Sequence, residues 1–350
     1  MNGRKLNKRQ SIRAQKNQAE RLKHALKSDR DLGRQTQSGE LSSPQRGLVT
    51  CRYSKEFEVE AMEGENRGTV HRCVSRTNIG NVVAGDRVTW RAGSNFSGVI
   101  ESRLPRHSVL ERPDNFGKLK EVAANVEQMI IVIACEPRPQ ENLIDRYIVA
   151  AELMQIKACI VLNKADLIST SNENELTSIL SRYNKLGYDT AKIISSRHQP
   201  QKLSEIKKLI EHKTSIVVGQ SGVGKSSLIN ALLPEANLQV GDLSESSGEG
   251  RHTTTQAKLF HLLQGGKLID SPGIRDFSLW HIKLSELAMG YVEIYEFAQQ
   301  CKFRDCQHNK EPSCAVLAAV KEGLIEKIRF ESFVATREAI EDQQDRFSNS

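Results

Sequence analysis

The spacing of hydrophobic positions changes three times along this 350-residue chain. Residues 1–46 carry no aromatic side chain ahead of Tyr53 and little apolar periodicity, so they read as a disordered or transiently helical arm, with a linker over Leu32–Pro44. From Gly47 apolar and polar residues alternate in short runs, as they do in strands with one buried face. These runs are Gly47–Tyr53, Glu56–Met62, Gly68–Val74, Asp86–Arg91, Gly98–Ser102 and Ser108–Glu111, separated by glycine and asparagine turn signals. Five or six such strands predict a small closed β-barrel over 47–113, with the oligonucleotide-binding type fitting its size and Arg-bearing loops and an SH3-like barrel reading similarly. After Arg112-Pro113 the pattern becomes strand, helix, strand. Met129–Ala134, Cys159–Leu162, Lys192–Ile194, Thr214–Val218 and Lys267–Ile269 read as strands; Asn142–Gln155, Leu176–Leu186, Leu203–Glu211 and Ser227–Leu233 read as helices. Alternation of this kind predicts a mostly parallel sheet over 114–283 that binds ligands at the carboxyl ends of its strands. A last, helical part is expected over 284–350, with helical spacing from Ala315 to Glu341.

The predicted strand Thr214–Val218 and helix Ser227–Leu233 enclose Gly219, Gln220, Ser221, Gly222, Val223, Gly224, Lys225, Ser226 and Ser227, which fit the phosphate-loop pattern G-x-x-x-x-G-K-[ST]. Glycines let the backbone N–H groups approach phosphate oxygens, and the helix that follows adds its positive end. Lys225 can reach the β- and γ-phosphates, and the Ser226 hydroxyl can ligate Mg²⁺. Just past another strand stand Asn163, Lys164 and Asp166. The Asp166 carboxylate can accept from both the exocyclic amine and the ring N–H of guanine, a paired match that adenine does not offer. Asn163 and Lys164 would brace the loop and stack on the base. Farther on, Asp270-Ser271-Pro272-Gly273 has the D-x-x-G form in which Asp270 orders Mg²⁺ and the Gly273 N–H senses the γ-phosphate. Between them lies Gly250-Arg251-His252-Thr253-Thr254-Thr255, where Thr254 is the best placed threonine to contact Mg²⁺ as a switch element. Position 274 is isoleucine, which cannot orient water as a glutamine does, so His252 is the candidate for that task.

The guanine signature precedes the phosphate loop by more than fifty residues, whereas in an ordinary GTPase it follows the D-x-x-G motif. The order is therefore circularly permuted, which is possible where the ends of a domain lie close together. Near the C-terminus, Cys301, Cys306, His308 and Cys314 give three thiolates and one imidazole within fourteen residues, the donor set of a closed structural Zn²⁺ site.

With barrel, permuted motifs, Gly250-x-His252-Thr253-Thr254-Thr255 and cysteine cluster in this order, the sequence over about 45–335 resembles the bacterial ribosome small-subunit-dependent GTPase A family of circularly permuted GTPases. The resemblance implies a late small-subunit maturation factor with an oligonucleotide-binding barrel, a GTPase core and a C-terminal zinc domain. Its hydrolysis is implied to be slow alone and stimulated by the small subunit, and the family points to His252 as the residue at the water. Ser195-Ser196-Arg197 is the candidate for the last guanine-site motif.

Charge adds a partner to this picture. Residues 1–35 hold eleven Lys or Arg against three acids, so the arm accounts for the net charge of +7 and the rest of the chain is nearly neutral. Such an arm suits a nucleic acid, which the resemblance implies to be rRNA, with a solubilising tail as the plain alternative. The remaining cysteines, Cys51, Cys73, Cys135 and Cys159, sit singly in strand-like runs and are expected to be buried free thiols. With no disulfide framework, no apolar leader and no membrane-spanning run, the expected setting is the cytosol; a monomer is the expected state. Two other readings stay open: an RNA-binding assembly placeholder for which GTP is a structural clamp, and a P-loop ATPase, which Asp166 disfavours.

Overall fold

The computed structural model describes residues 41–113, 118–195, 203–233, 257–270 and 282–348. They divide into two compact units at Pro105/Arg106.

The first unit is a closed five-stranded barrel. Strands β1 (Gln45–Tyr53), β2 (Glu56–Ala61), β3 (Val70–Ser75), β4 (Arg87–Ala92) and β5 (Ser97–Arg103) are ordered β1-β2-β3-β5-β4, and β4 pairs back onto β1. All pairs are antiparallel except β3 with β5, the connectivity of an oligonucleotide-binding barrel. Alternation explains the closure: in β2, Phe57, Val59 and Ala61 point inward while Glu56, Glu58 and Glu60 stay outside. Trp90 fills the centre with Val49, Val88, Cys73 and Ile100.

The sixth expected strand does not join this barrel. Strand β6 (Val109–Pro113) pairs antiparallel with β7 (Leu119–Ala124) as a separate hairpin of the second unit. Leu119–Ala124 carries Lys120 and Glu121 among small apolar residues, too weak an alternation to read as a strand beforehand.

The second unit is built on a sheet ordered β10-β9-β8-β11-β13-β12. Its strands are β8 (Gln128–Ala134), β9 (Lys157–Asn163), β10 (Asp189–Lys192), β11 (Thr214–Val218), β12 (Lys258–His261) and β13 (Lys267–Asp270). All neighbours are parallel except β12 with β13. Helices α1 (Glu141–Leu153), α2 (Glu173–Lys185), α3 (Ser204–Ile210) and α4 (Lys225–Leu232) alternate with the strands. β8 is buried along its whole length, as a central strand covered on both faces must be. Ile130, Val132, Val161, Ile206, Leu228 and Leu268 join one apolar core.

The C-terminal part is helical: α5 (Leu284–Leu287), α6 (Val292–Ala298), α7 (Ala315–Lys321) and α8 (Lys327–Ser348). The single helical stretch expected over Ala315–Glu341 is broken in two, with Gly323 at a φ of 75° ending the first helix. All four lone cysteines are buried free thiols as expected. Among the described residues, no helix is long and apolar enough to cross a membrane.

Candidate nucleotide and metal sites

Parallel pairing brings the motif residues to one edge. Asn163 ends β9, Gly219 follows β11, and Asp270 ends β13; Ile216 pairs with Ile269, so Asp270 lies beside the last residues of β11, just before the phosphate loop. Residues far apart in sequence thus share the carboxyl edge of the sheet, where α/β folds bind ligands.

The phosphate loop needs its glycines for space as well as torsion. Gly219 has φ +139°, and a Cβ there would lie 2.2 Å from the Val132 carbonyl oxygen; at Gly224, φ +91°, it would lie 2.4 Å from the Asn163 side chain. Helix α4 starts directly at Lys225, so its first N–H groups and positive end face the loop. Lys225 Nζ donates to the Gly219 and Gln220 carbonyls at 2.7 and 2.6 Å, which holds the ammonium over the loop. Val223 is buried beneath it, Ser226 is half-buried in the first turn of α4, and Ser221, Gly222 and Ser227 are exposed.

Asn163 braces the site. Its amide donates to the Val223 carbonyl at 2.9 Å, while its Oδ1 accepts from the Ser195 N–H at 3.1 Å and the Ser195 hydroxyl at 2.8 Å. One buried side chain therefore ties the guanine tetrapeptide to the phosphate loop and to the segment after β10. Lys164 has left-handed torsions (φ 56°), and its Nζ links the Glu136 carbonyl at 3.0 Å to the Gly222 carbonyl at 2.8 Å. Asp166 lies in the 3₁₀ turn Ala165–Leu167 and is exposed, open to a base. His252, Thr254 and Gly273 lie outside the described residues, as do Ser196, Arg197 and the basic arm.

Cys301, Cys306, His308 and Cys314 converge, with one ligand atom from each lying within 4.8 Å of the others. Cys301 Sγ is 3.8 Å from Cys314 Sγ and 3.6 Å from His308 Nδ1; His308 Nδ1 is 3.4 Å from Cys314 Sγ. This cluster can hold a metal ion. Burial pushes the Cys306 thiol up to about 12 and raises Cys314 as well, a cost that a bound cation would offset by stabilising the thiolate forms. Glu311 organises the loop between them, its carboxylate accepting from the N–H groups of Gln307 (2.8 Å), Asn309 (2.7 Å) and Lys310 (3.0 Å). Those backbone donors hold its pKa down at about 2. The C-terminal helix packs back on the same loop through Arg337, which donates to the Gln307 carbonyl at 2.6 Å, and Phe333, whose ring lies 6.1 Å from that of His308.

Ser195, a member of the candidate last guanine-site motif, is the partner of Asn163, whereas Glu311 and the polar seam Asn142, Asp145, Arg329, Ser332 and Thr336 have no motif to mark them. The seam has a signal: Arg329, Ser332 and Thr336 recur at helical spacing on the buried side of α8, where apolar residues are the rule.

A parallel sheet with a phosphate loop at its carboxyl edge, and a guanine tetrapeptide ahead of that loop in sequence, defines a circularly permuted P-loop nucleotide-binding protein. A family model for the RsgA GTPase matches residues 103–280. The "Small ribosomal subunit biogenesis GTPase RsgA" of Hahella chejuensis is 50% identical over 340 residues, 97% of either chain. Its namesake from Marinobacter nauticus is 48% identical over 343 residues, 98% of either chain. The chain belongs to the RsgA GTPase family. Among solved structures, YloQ, titled a circularly permuted GTPase, matches with a TM-score of 0.70 at 29% identity, covering 86% of this chain and 96% of that one. YjeQ from Thermotoga maritima matches at 0.69 and 30% identity, covering 85% and 99%.

Proposed function

We propose that this protein hydrolyses GTP to GDP and phosphate while bound to the small ribosomal subunit, as a factor in that subunit's biogenesis. The observation that carries the reading is the Asn163 clamp, which makes the guanine tetrapeptide and the phosphate loop one unit. The names of the full-length relatives support the same conclusion.

In this reading Asp166 selects guanine, with Asn163 and Lys164 shaping its loop. The N–H groups of Gly219 to Ser227 receive the phosphates, and Lys225 exchanges its loop carbonyls for phosphate oxygens. Ser226 and Asp270, with Thr254, offer the hard oxygen donors that suit Mg²⁺, and two of these stand at the same sheet edge. Bound Mg²⁺ would neutralise charge on the phosphates. Gly273 senses the γ-phosphate, and His252 holds the attacking water and takes its proton.

Cys301, Cys306, His308 and Cys314 would hold Zn²⁺, which supplies only structure there. The support is chemical and metric: tetrahedral zinc with Zn–S near 2.3 Å requires ligand separations of about 3.6–3.8 Å. Observed separations are 3.8 Å for the Cys301–Cys314 sulfurs and 3.4–3.6 Å from these two to His308, with Cys306 within 4.8 Å of the others. Replacing Glu311 with alanine, which frees three loop N–H groups, is expected to speed zinc transfer to a chelator about 10-fold. An unchanged transfer rate would remove Glu311 from the site.

Small-subunit rRNA is the proposed partner of arm, barrel and zinc loop. The barrel carries Phe96 at the tip of the β4–β5 hairpin, two-thirds exposed, next to the exposed Arg72; the zinc loop exposes Phe303 beside Lys302. Both are suited to base stacking beside phosphate. Free thiols and reduced metal ligands fit a cytoplasmic setting.

The test is phosphate release with no subunits, small subunits or large subunits. Stimulation by small subunits alone is expected, and His252→Ala should bind GTP normally yet lose about 10²-fold or more of the stimulated rate. If no subunit stimulates while RNA binding persists, nucleotide is a clamp and turnover incidental.

A further inference from the structure

Helix α1 has two opposed working faces. On one, Leu143 and Tyr147, with Gln140 just before the helix, line a small cavity with Gly219, Gln220 and Val223 of the phosphate loop. The segment leading into α1 is tied to the same loop, because Lys164 joins the Glu136 carbonyl to that of Gly222. The other face, Asn142, Asp145 and Val149, is about 180° away at 100° per residue. This face meets the C-terminal helices.

That contact is ionic and dry. Arg329 and Asp145 are 2% and 1% exposed. Arg329 Nη1 donates to Asp145 Oδ1, while its Nε and Nη2 donate to the two Glu293 oxygens at 2.6 and 3.1 Å. The guanidinium lies between the rings of Tyr183 and Tyr291, at 5.7 and 4.8 Å, and the Tyr183 hydroxyl donates to Asp145 at 2.7 Å. Asn142 donates to Ser332 and Thr336 at 3.2–3.3 Å, and Gly290 lies so close to Val149 that a Cβ would come within 2.6 Å of it. Burial works against the Arg329 charge, and the Asp145 and Glu293 carboxylates more than offset it, raising its pKa above the ordinary arginine value.

Apolar side chains of equal volume commonly hold such an interface as firmly as a buried ion cluster does. What a fork shared between two carboxylates adds is one defined geometry rather than a range of sliding contacts. We propose that Arg329 is a positioning residue for the phosphate loop: by fixing Asp145 it sets the stand of α1 against Gly219–Val223. Force or contact applied to the C-terminal helices is thereby felt at the phosphate loop through α1. The inference rests on the guanine-nucleotide reading of the site and adds a route of regulation to it.

Reciprocity supplies the test, since two coupled sites must each respond to the other. In the wild-type full chain, GDP is expected to slow hydrogen exchange over Arg329–Thr336 as well as over the phosphate loop. Arg329→Lys keeps the charge and loses the fork. It is expected to retain its metal and melt cooperatively, yet to release a fluorescent GDP analogue about 3- to 10-fold faster. Exchange in α8 that ignores GDP overturns the proposal, and so does a folded Arg329→Lys variant with the wild-type release rate. Should the variant fail to fold, the wild-type exchange measurement decides alone. A chain that binds no guanine nucleotide would refute the proposed function instead, a result distinct from either.

Discussion

Replacing Lys225 with alanine is expected to lower GTP turnover by about 10²–10³-fold, the cost of removing one preorganised charged donor from a developing transition state. Two effects add. The ammonium that would sit on the phosphates is lost, and so is the brace across the loop, since Lys225 donates to the carbonyls of both Gly219 and Gln220. Nucleotide affinity should therefore fall together with the rate. Lys225→Arg keeps the charge but offers a planar fork where the loop is shaped for a compact ammonium, so it should recover little. Single-turnover phosphate release and titration with a fluorescent GDP analogue separate the two losses. Turnover within threefold of wild type would falsify the assignment of Lys225 to the phosphates.

Removing the zinc proposed for the cysteine cluster is expected to unfold the loop around it and to leave α8 in place. The unit holding Cys301 to Cys314 has little apolar core, so metal binding supplies its folding free energy, roughly 10 kcal/mol or more for a structural zinc. Helix α8, in contrast, is anchored on α1 by Arg329 and by Asn142 with Ser332 and Thr336. After chelation, hydrogen exchange should rise sharply at Gln307, Asn309 and Lys310 and change little at Ser332 and Thr336. The thiols of Cys306 and Cys314 are raised by burial, so binding must release protons and affinity should fall as pH is lowered. Chelator-driven release is accordingly expected to be faster at pH 6 than at pH 8. Full protection of the loop after metal removal would show that the cluster folds by itself.

Strong local rules made much of this molecule readable in advance. The phosphate loop combines a β-branched strand, glycines with positive φ and a helix start within a dozen residues, so the local chain encodes the site. The cysteine cluster is similarly compact. Elements lacking a local signal were missed: β7 and β12 are four to six residues long, and α5 and α6 are four and seven. The strand expected at Lys192–Ile194 is shifted to Asp189–Lys192, because pairing with Cys159–Leu162 decides its extent, not its own residues.

Sequence alone determined the alternating barrel strands, the parallel-sheet pattern, the permuted motif order and the cluster of Cys301, Cys306, His308 and Cys314, because each depends on residue type and spacing. Tertiary structure decided which strands close the barrel and why Ser108–Glu111 is excluded from it, since pairing partners are chosen by register across the chain. It also decided that Asn163 joins Val223 to Ser195, and that Arg329 meets Asp145 across 184 residues. Such contacts are made only when packing removes water from both partners at once, and no local pattern records which two will meet.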